Sequence, residues 1–240
     1  MVSSSKTALV AGATGLIGKQ LVRQLLDDPN YGRVIALSRK AIPADHPKLE
    51  VVAVSLETLA EVAPTLRADD WFCALGTTIK QAGSQEAFRR VDYEYPMALG
   101  RRAAASGASR FLLVSAAGAS ANSSIFYSRV KGELERDLGG LALPSLQIFR
   151  PSLLLGDREQ IRRGEKLWSA VMKAVGPLLL GPLKRYRAIH GRTVAAAMIR
   201  AANGAGAGSG DATRAGSVSP DGKGTVLVRD GRWMAENGRL

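Results

Sequence analysis

Tyr127 and Lys131 stand four residues apart in Tyr127-Ser-Arg-Val-Lys131, so on a helix they share one face, one turn from each other. An ammonium beside a phenol favours the phenolate, which makes the tyrosine a better proton-transfer group near neutral pH. The spacing alone is common on solvated helix faces. Its setting gives it weight: Ser115 closes the apolar run Phe111-Leu-Leu-Val-Ser115, twelve residues before Tyr127. A hydroxyl there points into the same crevice and can hold a substrate carbonyl while Tyr127 delivers the proton.

Gly12-Ala-Thr-Gly-Leu-Ile-Gly18 follows the apolar run Ala8–Ala11 and opens a helical stretch, the context that a dinucleotide-binding turn requires. Gly12 permits the tight turn, Gly15 lets the backbone approach a pyrophosphate, and Gly18 lets the helix pack closely on the strand. Thr14, Leu16 and Ile17 complete the turn, and the helix N-terminus supplies oriented N–H groups for phosphates. The second strand runs into Ser38-Arg39-Lys40, where an NAD-binding chain usually carries an acidic residue for the ribose 2′-hydroxyl. A carboxylate would repel a 2′-phosphate. Arg39 can bind one with its planar fork and Lys40 as a point charge, so NADP(H) is expected over NAD(H), although an ordinary basic loop would read the same.

Leu75-Gly76-Thr77 follows the fourth strand, and its small residues would let a cofactor ribose lie against the backbone; a plain strand-to-loop turn fits this segment nearly as well. Pro151, after the sixth strand in Arg150-Pro-Ser152, falls beside the expected nicotinamide position and fixes the chain there. No metal site is expected, because one cysteine, Cys73, and two histidines, His46 and His190, do not make a metal centre or a disulfide framework. For His190 a hydrogen-bonded structural role is expected rather than catalysis.

The elements that must position these residues alternate. Thr7–Ala11, Val34–Leu37, Leu49–Val54, Trp71–Leu75, Phe111–Ser115 and Leu146–Phe149 read as buried strands. Gly15–Asp28, Leu56–Leu66, Ser84–Ser106 and Ser124–Leu138 between them read as helices, with Pro96 interrupting the third. The rhythm predicts an α/β fold: a Rossmann-type doubly wound parallel sheet with a small C-terminal substrate-side region, its ligand beyond the carboxyl ends of the strands. One NAD(P)-binding domain is expected over residues 6–202, with substrate-side elements from about 151. A helix over Ile161–Val175 and an Ala-rich helix over Thr193–Ala202 belong to that part. Residues 203–224 read as a flexible Gly/Ala-rich connector, and 225–240 as a short extension whose Thr225–Val228 could add a strand.

The formal net charge of +12 is explained most simply by dinucleotide phosphates and solubility. Sparse aromatics and the absence of any nucleic-acid-binding signature argue against sequence-specific nucleic-acid recognition. The apolar run Leu167–Leu183 holds Lys173, two prolines and two glycines, so it falls short of a membrane span; a cover over the substrate pocket is expected rather than peripheral membrane contact. No signal peptide is visible at the N-terminus, and a cytoplasmic protein is expected.

Taken together, these motifs resemble the short-chain dehydrogenase/reductase superfamily in its extended or atypical NAD(P)-binding division. Within it, Ala87–Pro96, Ser124–Glu133 and Phe149–Gly156 look like the Tat-interacting-protein-like oxidoreductases, and the resemblance spans about residues 6 to 202. It implies that Tyr127 is the general acid/base and that Lys131 holds the nicotinamide ribose and lowers the tyrosine's pKa. It also implies that Ser115 orients the substrate carbonyl. Two positions depart from the superfamily pattern: Asp92 stands near a place where many members carry asparagine, and no acidic residue follows directly in Ile189-His-Gly-Arg-Thr193. The leading expectation is an NADP(H)-dependent oxidoreductase acting on a small carbonyl or alcohol. An NADPH-binding regulatory or scaffold protein with a protein partner is the alternative, and a nucleotide-sugar epimerase or isomerase is a third.

Overall fold

The computed structural model describes residues 5–39, 42–43, 45–55, 58, 62–152, 154–155, 189–204 and 224–239. Strand β1 (Lys6–Ala11) is apolar in both registers of its pleat: Ala8 and Val10 enter one core and Leu9 and Ala11 the other, all buried. A strand buried on both faces needs layers above and below it, which is the condition for a parallel sheet. Accordingly β1 is flanked by β2 (Tyr31–Ser38) and β4 (Asp70–Cys73), with β3 (Leu49–Ala53) beyond β2. On the other side lie β5 (Arg110–Val114), β6 (Ser145–Arg150) and β9 (Thr225–Asp230). The order β3-β2-β1-β4-β5-β6-β9 is parallel at every pair, as the α/β expectation required. A separate parallel pair joins β7 (Leu154–Leu155) to β8 (Ile189–His190).

Helices cover both faces. One core brings α1 (Leu16–Asp27), α6 (Gly191–Ala202) and α7 (Gly231–Asn237) together through Leu21, Leu25, Val194, Met198, Trp233 and Met234. The opposite core packs α4 (Tyr95–Ala105) and α5 (Phe126–Gly139) on the sheet through Leu99, Ala103, Leu134 and Leu138. Short helices α2 (Ile79–Ala82) and α3 (Gln85–Arg89) start on side-chain caps, Thr78 accepting from the Gln81 N–H and Ser84 from the Ala87 N–H. The C-terminal extension is integrated into the sheet: β9 pairs along β6, and Asp230 caps α7 through the Trp233 N–H. Among the described residues no helix is long and apolar enough to cross a membrane.

Pro96 does not break the helical run. Between α3 and α4 the chain passes through one π-helical segment, Arg90–Glu94, and Pro96 sits in the first turn of α4. Proline has no N–H for the carbonyl four residues back, and its ring would clash with that carbonyl. Widening the preceding turn relieves the conflict and keeps the axis continuous. The helix expected over Leu56–Leu66 lies partly outside the described residues, with a 3-10 turn at Ala63–Thr65, and the helix expected over Ile161–Val175 lies wholly outside them.

At the amino ends of the strands Asp70 is fully buried and holds three partners. Lys6 Nζ lies 2.9 Å from Oδ2, Arg110 Nη1 lies 3.0 Å from Oδ1, and the Tyr31 hydroxyl donates at 2.7 Å. Burial, then the neighbouring Asp70 charge, pushes the Tyr31 phenol far above its ordinary range. Replacing Asp70 by alanine removes the one carboxylate that Lys6, Arg110 and Tyr31 share, although Lys6 keeps Asn203 Oδ1 at 2.8 Å. The expected cost is about 3 kcal/mol, read as a lower guanidinium midpoint at unchanged m-value. An unchanged midpoint would show that the network does not hold the sheet.

Candidate functional site

The sheet order reverses between β1 and β4, and a cleft of about 1110 Å³ opens above the carboxyl ends of these strands. Of the residues expected to bind a cofactor, Gly12, Thr14, Gly15, Ser38, Arg39, Leu75, Gly76 and Thr77 line it. Leu16, Ile17 and Gly18 do not. Ile17 is buried in the core, a Cβ on Gly191 of α6 would lie 3.0 Å from Leu16 Cγ, and Gly18 packs on the turn itself. The first turn of α1 therefore turns its side chains inward. Lys40 lies outside the described residues.

Gly12 has φ +81°, and a Cβ there would sit 2.6 Å from the Ala74 carbonyl oxygen. A side chain at Gly18 would lie 2.0 Å from the Gly12 oxygen, so both positions exclude any other residue without movement of backbone. Gly15, the N-cap of α1, offers no side-chain cap, which leaves the first-turn amides available to an external acceptor.

Ser115, Tyr127, Lys131 and Pro151 do not line the cleft itself. Lys131 adjoins it: a Cβ on Gly76 would lie 3.9 Å from Lys131 Nζ and 3.6 Å from Asp92 Oδ1. Ser115 N–H donates to the Phe149 carbonyl at 2.7 Å and Ala117 N–H to the Pro151 carbonyl at 3.0 Å, which fixes the ends of β5 and β6 side by side. Ser115 Oγ is buried and has no hydrogen-bond partner among the described residues, so no bond joins it to Tyr127. The Tyr127 ring packs on Phe88, centroids 5.5 Å apart.

Lys131 is the most constrained group of the site. Its side chain is 4% exposed and pairs with Asp92, 1% exposed, at 2.8 Å. Asp92 Oδ2 accepts the Thr77 N–H at 2.9 Å. Burial works to lower the pKa of the Lys131 ammonium, but the Asp92 charge and then Tyr127 outweigh it, and the group stands above the ordinary lysine value. One turn further along α5, Glu135 pairs with Arg150. Sequence reading named Asp92 as a departure without seeing its partner, and it missed Gly132. A Cβ on Gly132 would lie 2.1 Å from the Ser120 carbonyl carbon, so glycine in mid-helix, beside Lys131, marks where α5 crosses the 120–121 backbone. His190 is exposed at the N-cap of α6 and makes no side-chain cap bond, so the structural hydrogen bond expected of it is absent among the described residues.

The glycine cradle, the uncapped helix start and the orphaned Ser115 hydroxyl all fit a phosphate-bearing dinucleotide with a polar substrate group beside it. Among the described residues no group of three or more His, Cys, Asp or Glu could hold a metal ion.

Comparison with known proteins agrees. Residues 12–137 match the NAD(P)H-binding family. Protein HTATIP2 of Rattus norvegicus is 36% identical over 167 residues, covering 68% of this chain and 69% of that protein. Protein FMP52 of Eremothecium gossypii is 36% identical over 158 residues, covering 65% and 70%. The solved structure of MoeE5 in complex with UDP-glucose and NAD has a TM-score of 0.61 and 17% identity, over 93% of this chain and 76% of that one, a likeness of fold. One expectation is overturned. The FMP52 relatives of Eremothecium gossypii, Scheffersomyces stipitis and Candida glabrata are named mitochondrial, so the cytoplasmic assignment made from the N-terminus does not stand.

Gly12→Ala is expected to abolish dinucleotide binding and to cost about 1–3 kcal/mol of stability, checked by calorimetric titration and thermal melting. Cys73, pushed up to about 11 by burial, is expected to resist alkylation by iodoacetamide at neutral pH in the folded protein and to react after unfolding.

Proposed function

Given that this chain belongs to the NAD(P)H-binding family, as an atypical short-chain dehydrogenase/reductase resembling HTATIP2, we propose that it is an NADP(H)-dependent oxidoreductase acting on a small carbonyl or alcohol. The observation that carries the proposal is the placement of Lys131: its ammonium lies against Gly76 at the cleft, one helical turn from Tyr127. When bound, the nicotinamide supplies hydride exchange with the substrate carbon. The chain supplies position and protons. Lys131 holds the ribose, Tyr127 gives its phenolic proton to the carbonyl oxygen, and Ser115 donates to the same oxygen from its otherwise unused hydroxyl.

Arg39 supports the choice of NADP(H). It lines the cleft, is exposed, and forms no ion pair with a described residue, and no carboxylate lines the cleft among those residues. A 2′-phosphate there would meet a guanidinium that has no ion-pair partner among the described residues. A second reading, an NADPH-binding regulatory protein with little turnover, draws on the absent bond between Ser115 and Tyr127. Likeness in fold to a UDP-glucose-binding protein adds no substrate.

A panel of aldehydes and ketones with NADPH tests the main reading. Tyr127→Phe is expected to keep NADPH affinity and lower kcat about 10²–10⁴-fold. Equal NADPH consumption by both proteins would remove Tyr127 from the chemistry, and tight binding with no turnover by either would favour the regulatory reading. Arg39→Ala is expected to weaken NADPH binding about 10–100-fold while leaving NADH binding nearly unchanged, measured by fluorescence titration.

A further inference from the structure

Asp92 is a buried carboxylate whose two oxygens serve two different elements. Oδ1 lies 2.8 Å from Lys131 Nζ on α5, and Oδ2 accepts the N–H of Thr77, on the loop that lines the cleft after β4. It reaches both from the π-helical turn Arg90–Glu94, the one irregular turn in the helical run from Gln85 to Ala105. Such turns re-aim a side chain that regular helical spacing would carry elsewhere. A neutral amide at this position could satisfy Thr77 but could not balance the buried ammonium.

That balance matters. An amine as buried as Lys131 sheds its proton readily when it has no counter-charge. The titratable groups bearing on it are Asp92, Tyr127 and Cys73, and of these Asp92 forms the ion pair. Burial pushes the Cys73 thiol up to about 11, so this neighbour brings no charge at neutral pH.

We propose that Asp92 is the positioning residue of the site: it fixes Lys131 as an ammonium against Gly76 and locks that charge to the cleft backbone through Thr77. The proposal rests on the reading of Lys131 as the group that holds the cofactor ribose. Asp92 itself touches neither cofactor nor substrate; it acts through the lysine and the loop.

The test uses the full chain, NADPH as the probe, and three proteins: wild type, Asp92→Asn and Lys131→Met. Asparagine keeps the volume and the acceptor for Thr77 and removes only the charge. NADPH binding is followed by fluorescence from about pH 6.5 to 9.5, and the Lys131 ammonium by NMR of carbon-13-labelled lysine, assigned from the Lys131→Met spectrum. The wild type is expected to hold its affinity across this range, with Lys131 titrating above the ordinary lysine value. In Asp92→Asn the Lys131 titration is expected to move into the range, and affinity to fall about tenfold per pH unit above it.

If Lys131→Met weakens NADPH binding while Asp92→Asn stays flat with pH and equal to the wild type, the proposal is overturned and the lysine keeps its role. If Lys131→Met binds NADPH as the wild type does, the cofactor reading of the lysine fails and takes the proposal with it. Should Asp92→Asn not fold, the wild-type spectrum decides: titration below the ordinary lysine value overturns the pairing, and titration above it supports the pairing.

Discussion

Strand β1 lies between β2 and β4, and the rest of the site follows from that reversal of strand order. The chain leaves β1 through α1 on one face, and the strands beyond β4 are reached over the other, so the loops after β1 and β4 must part above the sheet. The crevice they leave is deep only because the two backbones meet at its base. Gly12 turns against the Ala74 carbonyl, and Gly18 lets α1 descend onto the Gly12 carbonyl. A methyl group at either position would push the helix start or the β4 loop away and move the uncapped first-turn amides of α1. The topology makes the cleft available, and two missing side chains set its floor.

The residues that adjoin the cleft depend on the register of α5. Tyr127, Lys131 and Glu135 succeed one another by single turns, and the two charged members are buried against partners from different elements, Asp92 in the π-helical turn and Arg150 at the end of β6. On the neighbouring face Arg89 pairs with Glu133 at 2.6 Å, and the Tyr93 hydroxyl donates to Asp137 at 2.7 Å. Buried ion pairs add little net stability over apolar packing, but half of one is costly to leave behind. A helix turned or slid by one residue would strand Lys131 and Glu135 together. The pairs thus specify where α5 sits, and Tyr127 inherits its position from them.

Much of this was legible in the sequence because its signals are local. Gly12, Gly15 and Gly18 follow an apolar strand at fixed spacing, and each of the sheet's first six strands announces itself as a short apolar run, although β3, expected to be buried, is half-exposed at the sheet edge. Pairings between distant segments were not legible. Asp92 read only as a departure from the expected amide, because nothing within a few residues reveals that Lys131 will lie 2.8 Å away. Pro96 read as an interruption, because the clash with the preceding turn is legible locally but its relief by a widened turn is not. Leu16, Ile17 and Gly18 were read as part of the binding turn, yet only their backbone can face the cleft, since the helix must spend its apolar side chains on the core.

Net charge is a poor guide to what the cleft attracts, and the ion pairs say why. Arg33, Arg89, Arg136, Arg150 and Arg232 are each matched by a nearby carboxylate, on Glu50, Glu133, Asp137, Glu135 and Glu236, so these five basic side chains are balanced locally. Salt screens exposed charges beyond about 8–10 Å, which leaves the field in the cleft to the groups that line it. These include Arg39, Lys80 and Arg90, and among the described residues no carboxylate. Arg90 spends part of its charge on Glu86, whereas Arg39 and Lys80 form no ion pair with a described residue. The positive potential is therefore carried by Arg39 after β2 and Lys80 on α2, and the uncapped start of α1 adds its partial charges.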